Sequence, residues 1–338
     1  MLIVSAPMRP RVALILTGGT IQAEGKNRLD LCAYMENGRR LTADELLCRV
    51  PEVRELAEIE TIQFSTGPST ALGENDWLKL LRTVHEIAAS RRAEAVVVTH
   101  GTNTLEETAY FLHLTLKTRI PVILVGAMRP ATAIGCDGEA NLVHALRTAL
   151  FADVAEMGVL VVMNGAIYSA RDVTKSATYR VDAFSGGEMG PLGLVDGGSR
   201  VVFYHRPARP HTTATEFDAR PLTALPPVAV MLSYTGADGA LIDAAVDAGV
   251  QGIVIAGSGA AGVTPSQNNA LSRAAERNVV VCLSSRVGSG RVLQRPGLAH
   301  KGFVTTDNLV PWKAKILLSL ALTITREPEA VQELFDRY

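Results

Sequence analysis

The sequence has no excess of either charge and no long uninterrupted apolar run. Its 33 basic and 34 acidic residues nearly balance and form no basic face or charge block of the kind that binds nucleic acid or anionic membranes. No apolar run reaches transmembrane length, and residues 1–7 are too short for the apolar core of a signal peptide. We therefore expect a soluble cytoplasmic protein that binds neither nucleic acid nor membrane, with removal of an export signal as the alternative.

Cysteine and histidine are scarce and scattered. No C-x-x-C pair occurs, and an even number of cysteines does not by itself indicate disulfides in a chain this large. The seven histidines form no H-E-x-x-H or similar ligand spacing, so the sequence predicts no metal site. The four cysteines are Cys32, Cys48, Cys136 and Cys282.

The 338 residues are too many for one ordinary core and indicate one large or two medium domains. Continuous apolar runs that alternate with helical patterns predict strands buried on both faces, βαβ units and parallel sheets. The predicted strands span residues 11–16, 95–99, 122–125, 158–163, 228–232, 252–256 and 279–283. The predicted helices include residues 76–90, 105–116, 139–150 and 240–248.

Two irregular stretches divide this pattern. Residues 206–227 are rich in proline and threonine and predict a linker between a larger domain, 1–205, and a smaller α/β domain, 228–338. Residues 22–40 are polar for longer than a usual connection, which is typical of a functional lid. A disordered excursion explains that second stretch almost as well.

Hydroxyl-rich turns follow two of the predicted strands. The first reads "LTGGTI" and contains Thr20, and the second reads "THGTN" and contains Thr102. Ligands of parallel sheets bind outside the carboxyl ends of the strands, so neighbouring strands would bring both turns to one edge. A phosphate loop is the weaker interpretation, because neither G-x-G-x-x-G nor G-K-[ST] spacing occurs.

Three kinds of charged or titratable side chain near these turns each have a structural interpretation. His100, at the end of a buried strand, is more often a hydrogen-bonded packing residue than a catalytic one. Glu106 and Glu107 fall in the first turn of a helix, where they favour its dipole. Lys175 is either a solvated surface lysine or, if partly buried, a base of lowered pKa that serves a threonine hydroxyl.

Taken in order, "LTGGTI", "VVVTHGTNTLEETAYFL", "PVILVGAMRP" and "LSSRVGSG" resemble the bacterial L-asparaginase family over most of the chain. The resemblance implies a two-domain α/β fold, no metal or cofactor, and a homotetramer built from intimate dimers. It implies hydrolysis of a small amide through a threonine nucleophile. Carried over by position, the nucleophile is Thr20, activated by Tyr34, while Lys175 assists the second essential threonine, Thr102.

The same resemblance implies a set of residues around the substrate. Ser69 matches a serine that holds the substrate carboxylate, and Ala127 matches a residue whose backbone carbonyl contacts the substrate amide. The complete set of expected substrate-binding residues is Ser69, Thr70, Gly101, Asn103, Ala127 and Arg295.

Asn103 departs from the family motif, which reads HGTD where this chain reads HGTN. In the family that aspartate binds the α-ammonium group of the substrate and neighbours the assisting lysine. Losing a desolvated charge from such a pair costs a few kcal/mol, about two factors of ten in binding. Without the carboxylate, the pKa of Lys175 is also expected to fall.

Three further positions lose an acidic or amide group of the family pattern. An interfacial glutamate aligns with Arg295 or Gln294, an asparagine with Ala260, and a glutamine with Thr70. Every change removes a group that would face an ammonium ion. The preferred substrate is thus either asparagine, bound with an acid of the 22–40 loop, or an amide without a free α-ammonium group.

The amide without an α-ammonium group would be an N-acyl asparagine, a dicarboxylic monoamide or a cyclic amide. A non-catalytic binding relative is disfavoured because Thr20, Thr102 and Lys175 are all retained. A tRNA amidotransferase subunit is disfavoured by the absence of an extra N-terminal domain and of a basic face.

Overall fold

The computed structural model describes residues 9–36 and 38–338, and the chain divides into two units after Ala208. Each unit has its own sheet flanked by helices, which confirms the predicted two-domain α/β fold with the larger unit first. The assignment of residues 206–227 to a linker stays a prediction.

Ten strands and five α-helices lie in the described part of the first unit. The strands are β1 Arg11–Leu16, β2 Glu58–Gln63, β3 Ala95–Thr99, β4 Val122–Val125, β5 Leu160–Met163, β6 Ala166–Ser169, β7 Thr174–Lys175, β8 Phe184–Ser185, β9 Gly193–Val195 and β10 Val201–Phe203. The helices are α1 Ala43–Arg49, α2 Val53–Leu56, α3 Glu74–Ser90, α4 Leu105–Thr115 and α5 Gly138–Ala149.

Eight of these strands form one sheet in the order β10-β9-β6-β5-β4-β3-β1-β2. The five strands from β5 to β2 are parallel, as predicted, whereas β6, β9 and β10 extend the sheet in antiparallel fashion. Strands β7 and β8 form a separate antiparallel pair. The antiparallel strands were not predicted, because they are short and lack a long apolar run.

The strands at the centre of the sheet are almost completely buried. Strands β3, β4 and β5 are buried at every residue, and β1 is buried after Arg11. Helix α4 is buried at every position except Glu107, although five of its eleven residues are glutamate, histidine or threonine. Rigid buried elements therefore lead into and out of the turn after β3.

The second unit, taken in its described residues 209–338, contains four strands and five α-helices. Its parallel sheet has the order β11-β12-β13-β14. The strands are β11 Val228–Leu232, β12 Gly252–Gly257, β13 Val280–Ser285 and β14 Phe303–Thr305, and the helices are α6 Ala240–Asp247, α7 Pro265–Glu276, α8 Pro296–Ala299, α9 Pro311–Ala321 and α10 Pro328–Arg337.

Two edge strands differ from what the sequence predicts. Strand β11 was expected to be buried on both faces, but Val230 is 45% exposed and Leu232 is 52% exposed, because alternate residues of this edge strand face outward. Strand β2 was not predicted, because its sequence EIETIQ places charge on the outer face of an edge strand. No helix in the described ranges combines the length and the apolar character that a membrane span needs.

Candidate active site

The two hydroxyl-rich turns meet at the carboxyl edge of the first sheet. Strands β1 and β3 are parallel neighbours with Leu16 beside Thr99, which confirms the prediction that both turns leave the same edge. Gly19 has φ +84°, and a Cβ placed there would come within 2.4 Å of the Gly101 Cα. Glycine at both positions thus lets the two backbones touch, and this contact brings the Thr20 and Thr102 turns together.

Thr20 is buried and begins a short 3₁₀ turn. Its Oγ1 shares a hydrogen bond of 2.9 Å with the hydroxyl of Tyr34, a residue of the 22–40 loop. The side chain of Gln22 holds the turn in place, because its Oε1 accepts from the Gly18 N–H at 3.0 Å and its Nε2 donates to the Leu41 carbonyl at 2.9 Å. Sequence reasoning missed this role of Gln22.

After Gln22, which ends the 3₁₀ turn, the described part of the 22–40 loop has bends and turns but no regular element, and its two ends lie together. Ala23 and Arg40 form an isolated antiparallel bridge, and Glu24 accepts from the Arg39 guanidinium at 2.8 Å. The two ends of the loop therefore lie side by side, and the loop places the Tyr34 hydroxyl beside the Thr20 Oγ1.

Lys175 links the second turn to the β7–β8 pair. Its Nζ donates to the Oγ1 of Thr102 at 2.8 Å and to the Oδ1 of Asn103 at 2.9 Å. The side chain is half-buried, and that burial lowers the pKa of Lys175, while the Glu106 carboxylate acts in the opposite direction. The half-buried position and these two hydrogen bonds favour the partly buried lysine over the solvated surface lysine.

Glu106 does more than favour the dipole of α4, so the interpretation based on the dipole alone is wrong. The residue is 3% exposed, and its Oε1 accepts a hydrogen bond of 2.9 Å from the backbone N–H of Lys175. A buried carboxylate needs such partners to offset its desolvation. The available signal was that Ala109 and Tyr110, at i+3 and i+4, share the helical face of Glu106.

Ser69 packs against the turn that holds Thr102. It starts a short 3₁₀ turn, and its carbonyl accepts from the Thr104 Oγ1 at 3.0 Å. A Cβ at Gly101 would lie 2.8 Å from the Ser69 Cβ and Oγ, so a larger residue there would not fit. Ser69 is buried and the following residue, Thr70, is exposed.

Ala127 follows strand β4 at the same edge and is completely buried. The backbone on both sides of it is held, because the Gly126 carbonyl accepts from the Asn141 Nδ2 at 3.0 Å and the Met128 N–H donates to the Asp137 carboxylate at 2.9 Å. Arg295 belongs to the second unit, where it is exposed and immediately precedes α8. Its part in substrate binding stays a prediction.

His100 is a buried, hydrogen-bonded packing residue, as the sequence predicts. The Trp77 Nε1–H donates to the Thr108 Oγ1 at 2.9 Å, and Thr108 in turn lies 2.9 Å from the His100 Nε2. Burial lowers the pKa of His100 to about 4, so the ring is neutral at pH 7. The Gly101 carbonyl, 2.9 Å from Nδ1, can only accept, so the neutral ring carries its proton on Nδ1, and Nε2 accepts from the Thr108 hydroxyl.

The side chains at this edge are hydroxyls, an amide, an ammonium and a buried carboxylate. Within the described ranges, no three His, Cys, Asp or Glu side chains cluster as metal ligands would. A hydroxyl with a polar partner and a second hydroxyl bonded to an amine are groups that suit nucleophilic attack with proton transfer.

Comparisons with known proteins agree with this chemistry. The sequence matches "Asparaginase, N-terminal" over residues 11–209 and "Glutaminase/Asparaginase C-terminal domain" over residues 227–335. It is 38% identical to L-asparaginase 2 of Escherichia coli, over 97% of this chain and 93% of that protein. It is 36% identical to glutaminase-asparaginase of Pseudomonas fluorescens biotype A, over 97% and 90% of the two chains.

A solved structure is similar throughout. The probable cytoplasmic L-asparaginase of Campylobacter jejuni superimposes with a TM-score of 0.93 and 38% identity, over 98% of this chain and 100% of that one. Fold, site and relatives together define an amidohydrolase. The chain belongs to the asparaginase family.

Proposed function

We propose that the protein hydrolyses the side-chain carboxamide of asparagine to a carboxylate and ammonia, with Thr20 as nucleophile and without a metal or cofactor. The observation that carries this proposal is that the two threonine turns meet. In them, Thr20 is hydrogen-bonded to Tyr34 and Thr102 is hydrogen-bonded to Lys175. The names of the similar proteins, L-asparaginase 2 and glutaminase-asparaginase, support the same substrate class.

In the first step, the Thr20 Oγ1 attacks the amide carbon. A threonine hydroxyl is a weak nucleophile until a neighbour takes its proton, and the Tyr34 hydroxyl lies 2.9 Å from it. Attack produces a tetrahedral oxyanion, which backbone N–H groups of the glycine-rich turns can stabilise. The amide nitrogen leaves as ammonia after gaining a proton, and water then releases the acyl group from Thr20.

We assign Thr102 and Lys175 to the scissile amide. A lysine whose pKa is lowered by burial is a better proton acceptor near neutral pH, and Nζ is within 2.8 Å of the Thr102 hydroxyl. Thr102 would position the amide and pass protons between it and Lys175. The two threonines thus divide the reaction between attack and positioning.

The substrate carboxylate is assigned to Ser69, with Thr70, Gly101 and Asn103 beside it and the Ala127 carbonyl at the amide. Contact between Ser69 and Gly101 supports this grouping. A part for Arg295 in substrate binding stays a prediction that rests on the family resemblance.

Ammonia release from purified protein tests the proposal. Asparagine, glutamine and their D-forms would be compared, and Thr20→Ala should abolish release while leaving substrate binding measurable by calorimetry. Tyr34→Phe should lower kcat with little change in KM. Binding without ammonia release by the unaltered protein would make it a non-catalytic relative instead.

Asn103 supports a second candidate substrate, an amide that lacks a free α-ammonium group. The neutral Asn103 amide already accepts from Lys175, and it offers no charge to an ammonium ion. N-acyl asparagine, dicarboxylic monoamides and cyclic amides would be screened beside asparagine. A higher kcat/KM for one of them favours this candidate, and a clear preference for asparagine excludes it.

We also propose that the protein is a homo-oligomer, a dimer or tetramer, located in the cytoplasm. The outward face of β11, with Val230 and Leu232 exposed, supports burial against a second copy. Light scattering of the purified protein measures the oligomer, and a monomer at working concentration would contradict it. The similar Campylobacter jejuni protein is called cytoplasmic, whereas a relative from Haemophilus influenzae is called periplasmic, so cell fractionation decides the location.

A further inference from the structure

Lys175 is held by a carboxylate that the proposed reaction does not use. The Glu106 Oε1 accepts from the Lys175 backbone N–H at 2.9 Å, across 69 residues of sequence. Strand β7 has only two residues, Thr174 and Lys175, so its pairing with β8 gives little rigidity. Helix α4 is buried along its length, so Glu106 offers a rigid anchor for this short strand.

The groups that face the ammonium of Lys175 are unequal in charge. From the turn after β3, Thr102 and Asn103 bond Nζ through neutral oxygen atoms. From α4, the Glu106 carboxylate acts on Lys175 through its charge. Glu106 is therefore the anion that opposes the desolvation of this lysine.

The segments on either side of β7 add little to that charge. The paired strand β8 consists of Phe184 and Ser185. In the segment that leads to β7, Arg171 and Asp172 form an ion pair of 3.0 Å, so their charges largely offset each other.

We propose, on the basis of the function assigned above, that Glu106 is the positioning residue of Lys175: its buried carboxylate fixes the lysine backbone so that Nζ reaches Thr102, and it supplies the negative charge that Asn103 does not. The carboxylate touches neither substrate nor reacting atoms. It acts through Lys175, first by geometry and second by charge.

Both effects follow from the positions of Asn103 and Glu106 relative to Lys175. Asn103 is at the Nζ end of the lysine, and it accepts a hydrogen bond without stabilising the ammonium by a full charge. Glu106 is at the backbone end, where its charge acts over a longer path and is weaker than a direct ion pair. The pKa of Lys175 therefore stays low enough for the amine to accept a proton, and the side chain is not a permanent cation.

The test is the pH profile of kcat/KM for the best substrate, in which the acid limb reports the lysine. Glu106→Gln keeps the shape and an oxygen acceptor but removes the charge, so the pKa of Lys175 should fall and the acid limb should move to lower pH by about one unit. Glu107→Gln removes the same charge from the same helical turn and is the matched control. Its acid limb should stay within a few tenths of a unit of the unaltered protein.

Two further variants separate charge from geometry. Glu106→Asp keeps the charge but shortens the side chain, so kcat should fall about tenfold or more with the acid limb little changed. The double variant N103D/E106Q moves the carboxylate to the other end of the lysine and should bring the acid limb back toward, or above, that of the unaltered protein. Thermal denaturation and circular dichroism establish that each variant is folded.

Two results would overturn the inference while leaving the proposed function intact. One is an unchanged acid limb in a folded Glu106→Gln protein, and the other is an equal shift in Glu107→Gln. If Glu106→Gln does not fold, Glu106→Asp still decides, because an unchanged kcat in a folded protein with the shortened carboxylate rules out positioning of Lys175 by Glu106. Failure of the proposed function is different, since the unaltered protein would then release no ammonia or Lys175→Met would remain active.

Discussion

The Nζ of Lys175 lies 2.8 Å from the Oγ1 of Thr102, although the two residues are 73 positions apart in the sequence. The contact joins a two-residue strand, β7, to the turn that follows the buried strand β3. A hydroxyl at this distance from a half-buried amine can exchange a proton with it directly.

Replacement of Lys175 by Met should therefore lower kcat by about 10²- to 10⁴-fold, because the proton acceptor for Thr102 is removed while the aliphatic part of the side chain is kept. Steady-state ammonia release measures kcat and KM separately, and KM should change little. Lys79→Met, on the exposed face of α3, is the matched control and should retain activity. Equal activity of the two variants would remove Lys175 from the reaction.

Restoring a carboxylate at residue 103 should alter both binding and pH dependence. In Asn103→Asp, the new charge would stand where the amide Oδ1 now lies, 2.9 Å from the Lys175 Nζ. The pKa of Lys175 should rise, and the acid limb of kcat/KM should move to higher pH by about one to three units, more than Glu106→Gln moves it in the other direction. If asparagine is the substrate, its KM should fall about tenfold or more, because the α-ammonium group gains an ionic partner.

Two outcomes would contradict this account of Asn103. An unchanged acid limb means that residue 103 and Lys175 are not coupled. An unchanged KM for asparagine in Asn103→Asp means that the ammonium group of the substrate does not reach residue 103. In that case the KM for an N-acyl asparagine should not rise in Asn103→Asp either.

The parts of the fold that hold the site follow from local sequence. Strands β1 and β3 were predicted with the bounds observed, because central strands covered on both faces need continuous apolar runs. The TGGT turn, with its paired glycines, and the HGTN turn could also be recognised in the sequence, because polar residues end each apolar run abruptly. Because β1 and β3 pair in parallel, the turns that follow them lie at the same edge of the sheet.

The contacts that support the site could not be obtained in this way. Glu106 and Gln22 act on partners fixed by tertiary packing, and Lys175 lies on a strand too short to have a periodicity. Glu106 did carry one usable signal, because Ala109, Tyr110 and His113 share its helical face at i+3, i+4 and i+7, and all of them are buried.

The close approach of the two turns makes Gly19 sensitive to any side chain. In Gly19→Ala, the new Cβ would meet the Gly101 Cα at 2.4 Å and the Gly101 N at 2.5 Å, so one of the two backbones must move. A displacement of about 1 Å between reacting groups costs about 10²-fold, so kcat should fall at least that much. Unfolding by urea should also show a loss of stability, because the clash with Gly101 adds to a backbone conformation, φ +84° and ψ −170°, that is adopted essentially only by glycine.

Gly249→Ala is the matched control for that substitution. Gly249 has φ +86°, close to the +84° of Gly19, but a Cβ there would have no neighbour within 4 Å. Its loss of stability should come from the backbone conformation alone, and its kcat should be unchanged. Similar kinetic effects in both variants would mean that the contact with Gly101 does not matter to the reaction.

His100 should make the stability of the protein depend on pH below neutrality. Its pKa is about 4 in the folded protein, lowered by burial, against an ordinary value of 6.5. As the pH falls below 6.5 the unfolded chain takes up a proton that the folded protein refuses, so stability decreases until the pH falls below about 4. Between pH 7.5 and pH 5 this single group should lower the free energy of unfolding by about 2 kcal/mol.

The comparison that isolates this contribution is His100→Gln. The amide can still bond Thr108, but it does not titrate, so the variant should lose about 2 kcal/mol less than the unaltered protein between pH 7.5 and pH 5. At pH 7.5 it should be less stable by about 1–3 kcal/mol, because the bond to the Gly101 carbonyl is lost inside the protein. Urea unfolding at the two pH values measures both differences. Parallel losses in the two proteins would mean that the buried His100 ring is not what resists protonation.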